Sequence, residues 1–273
     1  MTRKQVDVEV VLGELKEFQR RTASWAFQRM FAEENPAHRF LVADEVGLGK
    51  THVAKGVIAQ VIDHLSEIGD ERHDIVYVCS NQAIARQNVR KLAPAGVEPH
   101  KGVERLTMLP LARLDEGDGH GSGVNLIPIT PKTSLDFGRN TGRFNERCLA
   151  YSFLRATWGH EALDNKHARW IFWEGVNNGD RRLRGKASEY GPRIAGSVGC
   201  FAAELDTVEQ RRRQLGKPTL RKLFGRLVEG LKWKRDFPRA LKNDHKELIG
   251  EVRRIMATVG VKALDPDLVV LDE

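Results

Sequence analysis

The stretch Phe40-Leu41-Val42-Ala43-Asp44-Glu45-Val46-Gly47-Leu48-Gly49-Lys50-Thr51 constrains this chain more than any other. An apolar run enters a glycine-rich turn, and Gly-Lys-Thr opens a segment with helical apolar spacing at Val53, Val57, Ile58, Val61, Ile62 and Leu65. Strand, glycine turn and helix in that order make a phosphate grip. Glycines without Cβ let backbone N–H groups converge on oxygens, and the helix start adds positive field. Gly47, Leu48 and Gly49 form the turn, Lys50 suits the β- and γ-phosphates of ATP, and the Thr51 hydroxyl suits Mg²⁺. The strict pattern wants a further glycine five residues before Gly49, where this chain has Asp44.

The chain's last residues carry the complementary half. Leu268-Val269-Val270-Leu271 reads as a buried parallel strand delivering Asp272 and Glu273. At the carboxyl end of such a strand, Asp272 is suited to hold Mg²⁺ through its water shell, and Glu273 to orient or deprotonate an attacking water. Taken alone the string reads equally as a strand running into a charged turn; the glycine loop is what makes it chemistry.

Together these segments resemble a known family. Ala43 to Thr51 resembles motif I of superfamily-two helicases, particularly the Swi/Snf-type DNA translocases, in which Asp commonly stands where Asp44 does. Leu271-Asp272-Glu273 resembles the start of the DEAD/DEAH motif II. Residues 15–23 resemble the upstream glutamine motif, which implies that Gln19, with Phe18 beside it, reads adenine. Residues 76–88 resemble motif Ia, which implies that Ser80, Asn81 and Gln82 touch a nucleic-acid backbone. Residues 129–137 and 266–273 are similar to a bacterial group of large helicase-related proteins. The resemblance implies a RecA-like P-loop NTPase lobe, with ATP and Mg²⁺ as cofactors and Lys50 and Glu273 as the catalytic pair. It also implies nucleic acid as partner, DNA ahead of RNA. Such motors close over ATP with a second RecA-like lobe carrying an arginine. The chain stops within motif II, so it reads as an amino-terminal piece of a larger protein.

Periodicity along the chain predicts a helix over 8–33, strands at 39–43, 74–79, 103–109 and 124–129, and helices at 50–66 and 82–92. Alternation of this kind implies an α/β fold with a parallel sheet. The glycines of 116–123 lack a following helix and are set aside as a phosphate site. From residue 138 the rhythm changes to arginine-rich helical patterns at 201–215, 218–233 and 245–258. The expected organisation is 1–137 as the first part of the nucleotide-binding lobe, 138–262 as a mainly helical basic insertion, and 263–273 as the returning strand.

Charge supports that division. Residues 181–254 hold 20 Lys and Arg against 9 Asp and Glu, although the whole chain is only +7. A local basic excess suits a phosphate-backbone surface. Four tryptophans, Trp158, Trp170, Trp173 and Trp233, lie in the same region and are expected to form its small core, with base stacking as the alternative. Arg211-Arg212-Arg213 reads as a solvated helix face.

Other classes fall away. The three cysteines are far apart, so no disulfide or zinc framework is suggested, and His160 to His167 lacks the spacing of a metal-binding helix. No apolar run approaches a membrane span and the first residues lack a signal-peptide core, leaving the cytoplasm as default. The expectation is an ATP-hydrolysing lobe of a helicase or translocase, incomplete by itself. The alternatives are a truncated non-motor nucleic-acid-binding module and, less well matched, a hexameric AAA-type ATPase.

Overall fold

The computed structural model of the chain describes residues 6–43, 45, 47–69, 72–97, 105–111, 123–131, 137, 140–264 and 266–272. It is an α/β structure, 67% helical, with a small parallel sheet of three strands. The chain divides into two compact units. The described residues within Met1–Glu104, Arg113–Pro131 and Leu264–Glu273 form a sheet-bearing unit, and those within Arg105–Ala112 and Lys132–Ala263 form a helical one. Among the described residues no helix is long and apolar enough to cross a membrane.

In the sheet-bearing unit, β1 (His73–Cys79) lies between β2 (Val124–Ile129) and β3 (Leu268–Asp272), all parallel. The registers are Asp74 opposite Asn125 and Cys79 opposite Asp272. β2 is buried throughout and β1 almost so, as their predominantly apolar composition favours. Polar bonds fix the amino edge of the sheet. The buried Asp74 carboxylate accepts from Asn125 Nδ2 at 2.7 Å and from the Arg72 guanidinium, and the Asp74 amide donates to the Asp267 carboxylate at 2.7 Å. β3 departs from the fully buried strand expected of it: Leu268 is buried, but Leu271 is 75% exposed. The expected strand at 39–43 is not formed either. Phe40 to Ala43 run without ladder bonds and Leu41 is 85% exposed. An apolar run alone does not make a strand; it needs a paired neighbour.

The single helix predicted over 8–33 is three pieces. Asp7 caps α1 (Val8–Gly13), accepting from the Val10 amide, and the chain turns at Glu14 before α2 (Glu17–Phe27) and a π-helical turn at Gln28–Ala32. Gly13 at the end of α1 explains the break. α3 (Lys50–Glu67) packs its buried Val53, Val57, Ile58, Val61, Ile62 and Leu65 into one core with β1 and β3. α2 crosses α3 closely, because a Cβ at Gly56 would sit 2.9 Å from both Ala23 Cβ and Leu15 Cδ1. α4 (Gln82–Leu92) packs against β1 and β2.

The helical unit contains α5 (Phe144–Trp158), α6 (His160–Leu163), α7 (Lys166–Trp173), α8 (Gly179–Ile194), α9 (Val198–Gln214), α10 (Leu220–Leu231) and α11 (Lys242–Ala263). α5 is buried all round from Glu146 to Leu154 and is the unit's axis. In place of the strand expected at 103–109 there is a 3₁₀ helix, Leu106–Leu111, in this unit. Pro110 within it has no N–H for a ladder.

One carboxylate organises the unit's polar interior. Glu146, 1% exposed, accepts from Thr107 Oγ1 at 2.7 Å, Arg253 Nε at 3.0 Å, an Arg105 guanidinium nitrogen at 3.0 Å and the Arg143 amide at 2.7 Å. Part of the basic excess is consumed internally in this way. Arg212, expected on a solvated face, is buried against Pro218 O and Glu247, while Arg211 and Arg213 are exposed. Trp158, Trp170 and Trp173 pack against the helical core, but Trp233 is 96% exposed.

Candidate functional site

The glycine loop is built from its own backbone and from α2. Gly47 and Gly49 take φ of +92° and +83°, left-handed conformations that disfavour a side chain. Gly49 is needed twice over, since a Cβ there would also lie 2.6 Å from Gln19 Nε2. The loop then passes directly into α3, whose first turn presents amide hydrogens and the positive end of the helix dipole. The Lys50 ammonium folds back over the turn, 3.4 Å from the Glu45 carbonyl oxygen. Lys50 and Thr51 are both partly exposed at this helix start.

Gln19 is brought to the loop, but in a role that the sequence did not suggest. It is 6% exposed; its Nε2 donates to the Leu48 carbonyl at 2.8 Å, and its Oε1 accepts the Lys16 amide at 3.1 Å. Both ends of the amide are thus engaged within the protein, one starting α2 and the other holding the glycine turn down. Reading adenine with this amide would fall to its second N–H and its remaining lone pair.

Topology puts the helix start and Asp272 at the same end of the sheet. Near the end of α3, Ser66 Oγ lies 3.1 Å from Nε2 of His73, the first residue of β1. α3 also packs along β1 and β3, so it runs antiparallel to the strands and begins at their carboxyl ends. Its 18 residues span about 27 Å, more than the length of β1. Ligands of open parallel sheets bind at that end.

Asp272 closes β3 there, half-buried, and its partners come from β1 and α4. Tyr77 Oη donates to Asp272 Oδ2 at 2.5 Å, and Asn88 Nδ2 donates to the same oxygen at 3.2 Å and to Tyr77 Oη at 3.1 Å. Burial, reinforced by the neighbouring carboxylate, pushes the Tyr77 phenol well above its ordinary value, so the phenol stays a proton donor. Among the described residues Oδ1 of Asp272 takes no hydrogen bond, leaving it capacity for a further ligand. Sequence reasoning missed Tyr77 and Asn88 as site residues. The available signal was Tyr77 itself, a hydroxyl between Val76 and Val78 in a buried strand, which demands a polar partner.

Ser80 and Asn81 are exposed just beyond β1, with Gln82 partly exposed after them. Asn81 also serves the fold, since its side chain accepts the Ala83 and Ile84 amides at 2.8 and 3.4 Å and so caps α4. Asp44 and Glu273 lie outside the described residues, as does most of the glycine-rich stretch at 116–123.

The donor chemistry suits a magnesium–triphosphate pair. The Thr51 hydroxyl and Asp272 Oδ1 are hard oxygens, and Mg²⁺ is usually held by one or two protein groups with waters and phosphate rather than by an all-protein cage. Among the described residues no group of three or more His, Cys, Asp or Glu forms such a cage. Clefts elsewhere have other characters; one of about 390 Å³ in the helical unit is lined by Arg211, Lys217, Glu251 and Arg254. Comparison with family models, with curated proteins and with solved structures finds no match to this chain.

Proposed function

We propose that the sheet-bearing unit is the ATP-binding, RecA-like lobe of a superfamily-two helicase or double-stranded DNA translocase. The observation that carries this reading is the glycine loop. Its two left-handed glycines lead into α3 at the carboxyl end of a parallel sheet, the same end at which β3 delivers Asp272. On this reading Lys50 neutralises the β- and γ-phosphates, and Thr51 and Asp272 hold Mg²⁺. Tyr77 and Asn88 fix the Asp272 carboxylate, and Glu273 activates water. Ser80 to Gln82 meet the nucleic-acid strand, with α4 stiffened beneath them by Asn81. Bound Mg²⁺ supplies charge neutralisation at the transferring phosphoryl group. Catalysis by such motors needs a second lobe, whose arginine is worth about 10³–10⁵ in rate, so residues 1–273 alone hydrolyse ATP slowly.

A second reading draws on Gln19. With its amide engaged by Leu48 and Lys16, the unit is equally consistent with a nucleic-acid-binding module that makes no productive use of ATP. One substitution separates the two. A fluorescent ATP analogue titrated with Mg²⁺ binds the wild type, and Lys50→Ala weakens it roughly 10- to 100-fold, the loss of a charged hydrogen-bonding group. DNA affinity then depends on nucleotide in the wild type and not in the variant. Equal analogue affinity in both proteins overturns the motor reading.

A further inference from the structure

We propose that the turn after α10 is a contact for single-stranded nucleic acid, with Trp233 stacking on an unpaired base while Lys234 and Arg235 meet phosphates. The proposal belongs to the helical unit and does not rest on the nucleotide reading.

The backbone is the first argument. Lys232 has φ −56° and ψ 134°, Trp233 has φ +63°, and the Lys234 amide donates to the Leu231 carbonyl at 3.2 Å. Those are the features of a type II turn, whose third position suits glycine. A bulky L residue with positive φ is a true outlier. Strain of this sort is normally offset by burial, yet Trp233 is 96% exposed. The other three tryptophans of the unit pack against its core. Here the fold holds the largest of side chains outward in a conformation that glycine would adopt freely.

Anchoring is the second argument. Leu231 is fully buried before the turn. After it, Phe237 lies 6.0 Å from the Trp170 ring and 4.8 Å from the His245 ring. Residues 232–236 are all exposed between those two pins, so the tryptophan stands on a short, tethered projection.

Charge identifies the occupant. Residues 232–242 carry Lys232, Lys234, Arg235, Arg239 and Lys242 against Asp236 alone. Lys232 pairs with Glu229 at 2.6 Å, and among the described residues Lys234 and Arg235 have no ion pair. An indole face between cations matches a chain of alternating bases and phosphates. Bases in a duplex are already stacked, so the free face belongs to a single strand. A membrane surface would require a broader apolar patch than one side chain.

The test is anisotropy of a labelled oligothymidine titrated with wild type, Trp233→Ala, Trp233→Phe and Trp233→Gly, beside the same titrations with a duplex. Trp233→Ala and Trp233→Gly weaken the single strand about 10-fold or more, and Trp233→Phe stays within about 3-fold of wild type. Duplex affinity changes little in every variant. Trp233→Gly suits the turn, so its loss of affinity cannot be put down to misfolding when its thermal melt matches the wild type. Unchanged oligothymidine affinity in Trp233→Ala overturns the proposal, as does an equal loss on duplex. Vesicles of phosphatidylserine that bind through Trp233, with oligothymidine not bound, overturn it in favour of a membrane contact. Lys50→Ala leaves the Trp233 effect in place, which separates the fate of this proposal from that of the ATP site.

Discussion

Among the described residues, two polar constellations centred on a carboxylate, one in each unit, are finished to different degrees. Glu146 in the helical unit is sealed, with donors from Thr107, Arg105, Arg143 and Arg253 distributed over both oxygens. Asp272 at the end of β3 is partly exposed, and its two donors, Tyr77 and Asn88, fall on a single oxygen. A buried charge survives only if its bonding capacity is filled. A carboxylate left half-filled at the carboxyl end of a parallel sheet is held in place and still has an oxygen to offer. The first constellation stabilises; the second is fit for a ligand.

The largest effect that can break this contrast is on stability. Glu146→Ala takes the carboxylate away from two buried guanidinium groups and should lower unfolding free energy by about 3–5 kcal/mol in denaturant titration. Asp272→Asn should cost under about 1 kcal/mol by the same measurement while weakening Mg²⁺-dependent binding of an ATP analogue. If the two substitutions destabilise equally, the distinction between sealed and open carboxylates fails.

The glycines sharpen it next. Gly49→Ala combines a left-handed φ with a 2.6 Å approach to Gln19 and should both destabilise by about 2–3 kcal/mol and abolish analogue binding. Gly47→Ala has the conformational penalty without the collision and should cost only about 1 kcal/mol. Thermal melts in parallel with analogue titrations would check the order. Tyr77→Phe is of similar size: it removes one bond to Asp272 and should cost about 1 kcal/mol while loosening the carboxylate.

The smallest effects are in pH. His245 is buried, with Nε2 2.7 Å from the Ile171 carbonyl, and burial holds its pKa below the ordinary histidine value. The neutral ring is therefore favoured by folding. Its contribution is full above the unfolded value and is lost as pH falls toward the folded one. Stability of wild type should decline faster on acidification below about pH 6.5 than that of His245→Gln. Tyr77 has the opposite sense. A raised phenol contributes below its unfolded value and loses that contribution at higher pH, so the alkaline limb above about pH 10 should flatten in Tyr77→Phe.

What was legible in the sequence divides along physical lines. Continuous apolar runs with a partner became β1 and β2, and apolar residues at helical spacing became α3 and α4. Phe40 to Ala43 has the same composition and no ladder, because pairing is a property of the neighbour and not of the run. Residues 103–109 misled for a related reason: an apolar segment can be buried as a 3₁₀ turn, and Pro110 was the local warning. At the site, glycine spacing and Gly-Lys-Thr located the loop, since those demands are local. The duties of Gln19 and Asn81 were hidden because an amide side chain binds whichever backbone group the fold brings within reach. The outward Trp233 was hidden too, since a tryptophan among helices ordinarily packs.

The absent side chain of Gly56 has a reach well beyond its own position. It lets α2 lie almost in touch with α3, and that proximity alone carries Gln19 under the glycine turn. Adding a single methyl at residue 56 would prise the two cylinders apart and unlatch Leu48 from beneath, altering the glycine turn while leaving every residue that composes it intact.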